Sequence, residues 1–159
     1  MQNICTNGSG NIFYLARIRA SKFNPRLSNR ENASGETGID RTRLARIEEG
    51  IVSPNTEDVL MMASVYNAPE LKPIFCSKMC PLGDRLPDVD GTSTLDRITV
   101  KAICSLQKIK SIKHDLLEIT ADGTISEAEK PELRNIIREL DELTAVTEDL
   151  KIWAEKNGC

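Results

Sequence analysis

The sequence predicts an all-α protein of two modules, an N-terminal five-helix domain followed by a C-terminal long antiparallel helical hairpin. Three observations carry this reading. Hydrophobic residues make up 40% of the 159 positions but aromatic residues only 4%, so the core must be built from Leu, Ile, Val and Ala, which suits helix packed on helix. Apolar residues recur at intervals of three and four wherever the chain is not interrupted by Pro or Gly. Charge is divided along the chain: residues 1–50 hold eight Lys/Arg against five Asp/Glu, a net of +3, whereas residues 81–159 hold eleven against sixteen, a net of −5. An Arg-rich front on an acidic whole assigns anion contact to one module and a different task to the other.

The elements follow in order. Asn11 to Ser21 places Ile12, Leu15, Ala16 and Ile18 on one side of a first helix, which ends near Phe23-Asn-Pro25. Ser28 or Asn29 caps a second short helix to about Thr37, and Gly38 supplies the left-handed turn residue that a Cβ would oppose. Asp40 caps a third helix through Glu49, stopped by Gly50, with Leu44 and Ile47 as its buried face. Ser53-Pro-Asn-Thr56, with Glu57 and Asp58 behind it, starts a fourth whose Val59, Leu60, Met62, Ala63 and Val65 run at helical spacing to about Tyr66. A fifth spans Pro69 to about Met79. The domain therefore occupies residues 1–80. Residues 81–94, with two prolines and two glycines, read as a linker that no helix could continue through.

Residues 95–159 read as two long helices. Leu95, Ile98, Ala102, Ile109, Ile112, Leu116 and Ile119 keep the three-four spacing, with Ser105 the one polar interruption and Leu106 beside it. Ala121-Asp-Gly-Thr-Ile125 breaks the first helix, Ser126 with Glu129 predicts a capping box, and Pro131 predicts a first turn that restarts or kinks. Leu133, Ile136, Ile137, Leu140, Leu143, Val146, Leu150, Trp153 and Ala154 carry the second stripe. A short connection makes the pair antiparallel, and two helices bury one face each, so the remaining stripe is expected to pack on a second copy, making this a dimerisation module.

Several chemistries are excluded or disfavoured. No run of about 18 apolar residues is present, so no membrane span or membrane partner is expected, and the polar start, with only Ile12–Ala16 apolar before Arg17 and Arg19, is not an export signal. A cytoplasmic protein with reduced thiols follows, because five scattered cysteines are not a disulfide framework. Cys76 and Cys80 are four apart, but a closed zinc site needs four ligands and the single histidine, His114, lies in the other module, so packing thiols are preferred to a metal or redox pair. Asp122 to Glu129 copies the second half of a calcium loop, yet Glu118 and Thr120 stand where its first ligands belong. His114 reads as surface and Trp153 as core or interface. No nucleophile elbow, phosphate loop or His-based pair occurs, so neither an enzyme nor a cofactor is expected.

The strongest local signal is Asn29 to Gly50: a short helix, a glycine turn, then a helix with its apolar residues on one side, the layout of a helix-turn-helix. In that second helix Leu44 and Ile47 point inward, Thr42, Ala45 and Arg46 outward, Arg41 lies on the flank and Arg43 nearer the buried edge. A small residue between Arg and Thr side chains permits close approach to a major groove, where Arg pairs with guanine through two bonds and Thr reaches a base edge, a methyl or a phosphate. The run Gly38-Ile-Asp-Arg-Thr-Arg-Leu-Ala-Arg-Ile-Glu-Glu-Gly50, followed by Pro54 and the helix Glu57 to Tyr66, resembles the Xre/Cro/CI-type helix-turn-helix of bacterial and phage transcriptional regulators over roughly residues 10–75. The resemblance implies a lambda-repressor-like DNA-binding domain with residues 40–49 as recognition helix. It places Arg41, Thr42 and Arg46 at base- and phosphate-contacting positions and Arg30 at the DNA backbone. Glu48 matches a carboxylate that pairs with a first-helix Arg, here Arg17 or Arg19. Ser34, Gly35 and Glu36 depart from the Ala and aliphatics of the family's second helix, and the link containing Pro25 is long.

Together these readings predict a homodimeric, sequence-specific regulator of transcription, a repressor, whose double-stranded DNA contacts are Arg30, Arg41, Thr42, Arg43 and Arg46. The alternative from another class is an antitoxin-like or adaptor protein that uses the same helix-turn-helix as a docking surface for a protein partner.

Overall fold

The computed structural model describes residues 10–83, 86 and 88–159, and among these every regular element is helical. The chain divides into two compact units, one through residue 86 and one from residue 87 onward.

In the first unit α1 (Ile12–Ser21) begins at Asn11, whose side-chain oxygen accepts from the backbone N–H groups of Phe13 and Tyr14. That cap is buried and also reaches outward: Asn11 Nδ2 donates to the Ile47 carbonyl at 2.9 Å, joining the start of one helix to the end of another. A single 3-10 turn (Pro25–Ser28), begun by Asn24, covers the core with Leu27. Helix α2 (Arg30–Thr37) is capped by Asn29 and closed by Gly38 at φ 71°, a left-handed conformation in which a Cβ would be strained. Helix α3 (Arg41–Glu48) is capped by Asp40, which accepts from Thr42 and Arg43 N–H. The start of α4 (Thr56–Val65) is a reciprocal box between Asn55 and Asp58, which makes Asn55 the cap within the start signal of residues 53–56. Helix α5 (Leu71–Lys78) completes the unit. Phe13, Ala16, Leu27, Ala33, Leu44, Ile47, Val59, Met62 and Leu71 form its core.

The polar residues of α2 have occupations of their own. Ser34 Oγ donates to the Ile39 carbonyl at 2.6 Å across the turn, and Thr37 Oγ1 donates to Ala33 while accepting from Ile39 N–H. Glu36 pairs with Arg26 at 2.9 Å on the surface, and Gly35 faces open space. The turn between the two helices is thus held by hydroxyls.

In the second unit α6 (Leu95–Ile119) and α7 (Lys130–Asn157) run antiparallel, as the cross-pairs Lys108–Glu142 and Lys101–Asp149 show. Ile98, Ser105, Ile112 and Ile119 are the buried residues of α6. They stand seven apart, so Ser105 lies on the seam and Leu106 beside it points away, 59% exposed. Opposite Ser105 stand Ala145 and Val146, and these small side chains leave a groove of about 360 Å³ between the helices, rimmed by Lys101, Lys108, Glu142 and Asp149. Helix α7 begins later than the Ser126 signal indicated: Ser126 N–H and Oγ both meet Glu129 Oε2, and the first helical turn is Lys130-Pro131. Pro131 therefore starts a helix and kinks none.

Residues 88–94, expected as linker, belong to this unit. Buried Asp149 accepts from Asp90 N–H and Gly91 N–H at 3.1 Å, and Lys156 Nζ donates to the Gly91 carbonyl at 2.7 Å. Val89 and Gly91 are buried in consequence.

Candidate nucleic-acid interface

Beneath the exposed face of α3 lies a network of arginines and carboxylates. Glu48, fully buried, takes Arg17 Nε at 2.6 Å and Nη2 at 3.0 Å on its two oxygens, and Arg30 Nε at 2.8 Å on Oε2. Arg17, itself buried, spends Nη1 on the Leu27 and Ser28 carbonyls and lies 5.5 Å from the Tyr14 ring centre. The first-helix partner of Glu48 is thus Arg17; Arg19 pairs with Glu70 at 3.2 Å instead. A buried carboxylate is tolerable only because three charge-assisted bonds replace its water. Burial, with the nearby Glu48 charge, pushes the Tyr66 hydroxyl above the ordinary tyrosine range, so it stays protonated.

The five side chains expected at DNA separate into two sets. Arg30 and Arg43 are engaged: Arg30 also gives Nη1 to Glu49 at 2.9 Å, and Arg43 places Nε at 3.0 Å and Nη2 at 2.5 Å from Asp58 Oδ2. Pairing with Glu48 and with Asp58 raises the two guanidinium pKa values, so both remain cations. Each is about two-thirds covered, Arg30 at 33% and Arg43 at 38% side-chain exposure. Asp58 meanwhile accepts from Asn55 N–H, so Arg43 fixes the start of α4 to the flank of α3.

Arg41, Thr42 and Arg46 form the other set. All three are exposed, and among the described residues no carboxylate lies within ion-pair distance of Arg41 or Arg46. Half-buried Ala45 lies between them. Asn29, Arg30 and Glu31 at the start of α2 face Arg41, Thr42 and Ala45 across an open groove of about 530 Å³. The arrangement offers an unpaired bidentate donor at each end of a short ridge, a hydroxyl beside it and a low point where a ligand's edge can approach.

The pairings of Arg30 and Arg43 escape a sequence reading because their partners lie 18 and 15 residues away. Asn11 was read only as a helix start. Its cap position was legible from residue type, its bond to Ile47 across 36 residues was not. Among the described residues no group of three or more His, Cys, Asp or Glu side chains is placed to hold a metal ion. Cys76 is exposed and Cys80 half-buried, each a free thiol. No helix among the described residues is long and apolar enough to cross a membrane. Comparison of the chain with protein-family models, with curated proteins and with solved structures gives no match in any of the three.

Proposed function

We propose that the chain is a sequence-specific regulator of transcription that binds double-stranded DNA as a homodimer, with α3 as its reading element. One observation carries this reading: of the arginines around α3, Arg17, Arg30 and Arg43 are held by carboxylates, whereas among the described residues Arg41 and Arg46 have none, on an exposed ridge with Thr42 between them. Leaving a guanidinium unpaired beside paired ones fits a charge reserved for a ligand, and its planar fork matches the O6 and N7 acceptors of guanine or a phosphate. Arg30 and Arg43, oriented by their carboxylates, meet the phosphate backbone. In this reading affinity comes from arginine–phosphate contacts with counterion release and specificity from Arg41, Thr42 and Arg46. A dimer would set two such ridges about one DNA turn apart, roughly 34 Å.

Selection of a random duplex library by the purified full chain at about 150 mM salt, the regime where nonspecific phosphate contacts weaken, tests the reading. Enrichment of a palindromic site is expected. No enrichment, with binding that disappears on adding salt, replaces it with the adaptor reading, in which the same ridge docks a protein. On the selected site Arg46→Ala should cost about 1–3 kcal/mol and relax preference at one base position. Unchanged affinity removes Arg46 from the reading set.

A further inference from the structure

The two sides of the α6–α7 hairpin differ in kind. At 100° per residue, Lys101, Cys104 and Lys108 of α6 lie to one side of the seam through Ile98, Ser105 and Ile112, and this is the side on which they line the charged groove with Glu142, Ala145 and Asp149 of α7. The opposite side of α6 carries Leu95, Ala102, Leu106 and Ile109; the matching side of α7 carries Leu140, Leu143, Thr147, Leu150 and Ala154. Leu106, Leu140 and Leu150 are 59%, 39% and 44% exposed there. Two exposed lysines share the side away from its middle, Lys113 one heptad beyond Leu106 and Lys151 one heptad beyond Thr144, the latter paired with Glu148 at 3.3 Å. The threonines on that side are satisfied within their own helices: Thr99 Oγ1 donates to Leu95 O, Thr144 to Leu140 O and Thr147 to Leu143 O, each at 2.9 Å. A threonine bonded back to its own helix turns its methyl outward and can be buried without an unmet donor.

We infer that the face built on Leu106, Ile109, Leu140, Leu143 and Leu150 is where two copies of this chain meet, closing a four-helix arrangement across a two-fold axis and leaving the charged groove on the outside. The inference rests on the dimer of the reading above and specifies its surface, which holds whether the ligand of α3 is DNA or protein. The occupant is a second copy on grounds of area and composition. A face as long as α6, about 38 Å, and two helices wide, roughly 18–20 Å at a spacing of 8–10 Å, offers roughly 700 Å² per partner, close to the 800 Å² of a standard stable interface. An apolar centre, here Ala102, Leu106, Ile109, Leu140, Leu143 and Thr147, with charge only toward the ends at Lys113 and Lys151, is the composition of homodimer contacts, and an isologous contact requires one self-complementary patch.

The test is the mass of the full chain in solution at micromolar concentration, without DNA. Wild type is expected at twice 17.7 kDa. Leu106→Glu and Leu150→Glu, each placing a charge on this face, should halve the mass while circular dichroism keeps the wild-type helix signal. Val100→Glu, at a 62% exposed position on the other side of α6, should remain a dimer. A monomeric wild type overturns the inference, and so does a dimer that survives both leucine variants or one that Val100→Glu splits equally well. Loss of helix signal in the leucine variants overturns it too, because the face would then belong to the hairpin's own core. The two readings fail distinguishably: a dimer split by Leu106→Glu that enriches no duplex refutes the DNA reading alone, and a monomer that enriches a duplex refutes the dimer and this surface while the DNA reading stands.

Discussion

Glu48 is the residue on which the first unit turns. Its carboxylate is shut off from solvent against Arg17, which is buried as well, so removing one charge strands the other. Glu48→Gln should lower the stability of this unit by about 3–5 kcal/mol, the cost of leaving an uncompensated buried charge. Urea unfolding followed by circular dichroism measures it, and a loss under about 1 kcal/mol, the worth of an exposed pair, would show that the network is wet. Gly35 predicts the opposite sign. It sits inside α2 with nothing near where a Cβ would stand, so Gly35→Ala should stabilise the same transition by about 0.5–1 kcal/mol. Gly38, at φ 71°, would lose by the same exchange.

At the scale of elements, the helices of the first unit were legible because each announces its ends with short polar side chains: Asn11, Asn29 and Asp40 at the starts, Gly38 and Gly50 after the ends. Local chemistry of that kind acts within four residues, and the sequence displays it directly. The onset of α7 was hidden behind Ser126, because several neighbours there can satisfy the same backbone groups. At Ser105 two signals compete: polarity favours the surface, but the seven-residue spacing of Ile98, Ile112 and Ile119 holds it inward. A buried serine facing Ala145 and Val146 leaves the helices less well filled than an aliphatic would. Ser105→Ala should therefore stabilise the hairpin by about 0.5–1 kcal/mol through better helix propensity and one fewer buried hydroxyl. A destabilised hairpin would mean that the hydroxyl is needed where it stands.

For the whole molecule, the two-module division was visible in charge and in the Pro/Gly segment, whereas the place of residues 88–94 was not, since Asp149 reaches them across 58 and 59 residues. The same holds for the site: the ridge of Arg41, Thr42 and Arg46 could be read from a helical wheel, and the engagement of Arg30 and Arg43 depended on folded partners. The two units should respond to different insults. Asp90, hydrogen-bonded by Thr92 and Ser93, has its pKa held below the ordinary aspartate range. A depressed folded-state value stabilises at any pH above the ordinary range and loses that contribution as acid protonates the group. The hairpin should therefore weaken as pH drops through and below about 4, and Asp90→Asn should flatten that dependence in a thermal-melt series, leaving the transition that Glu48→Gln shifts unaltered.

The inward and outward residues of α3 also differ in what a change at each would disturb. Leu44, Ile47 and Glu48 hold the helix to its neighbours, while among the described residues Arg41, Thr42, Ala45 and Arg46 take no part in the core cluster or in its ion pairs. The outward four can therefore be exchanged together, by natural variation or by design, while the scaffold keeps its stability.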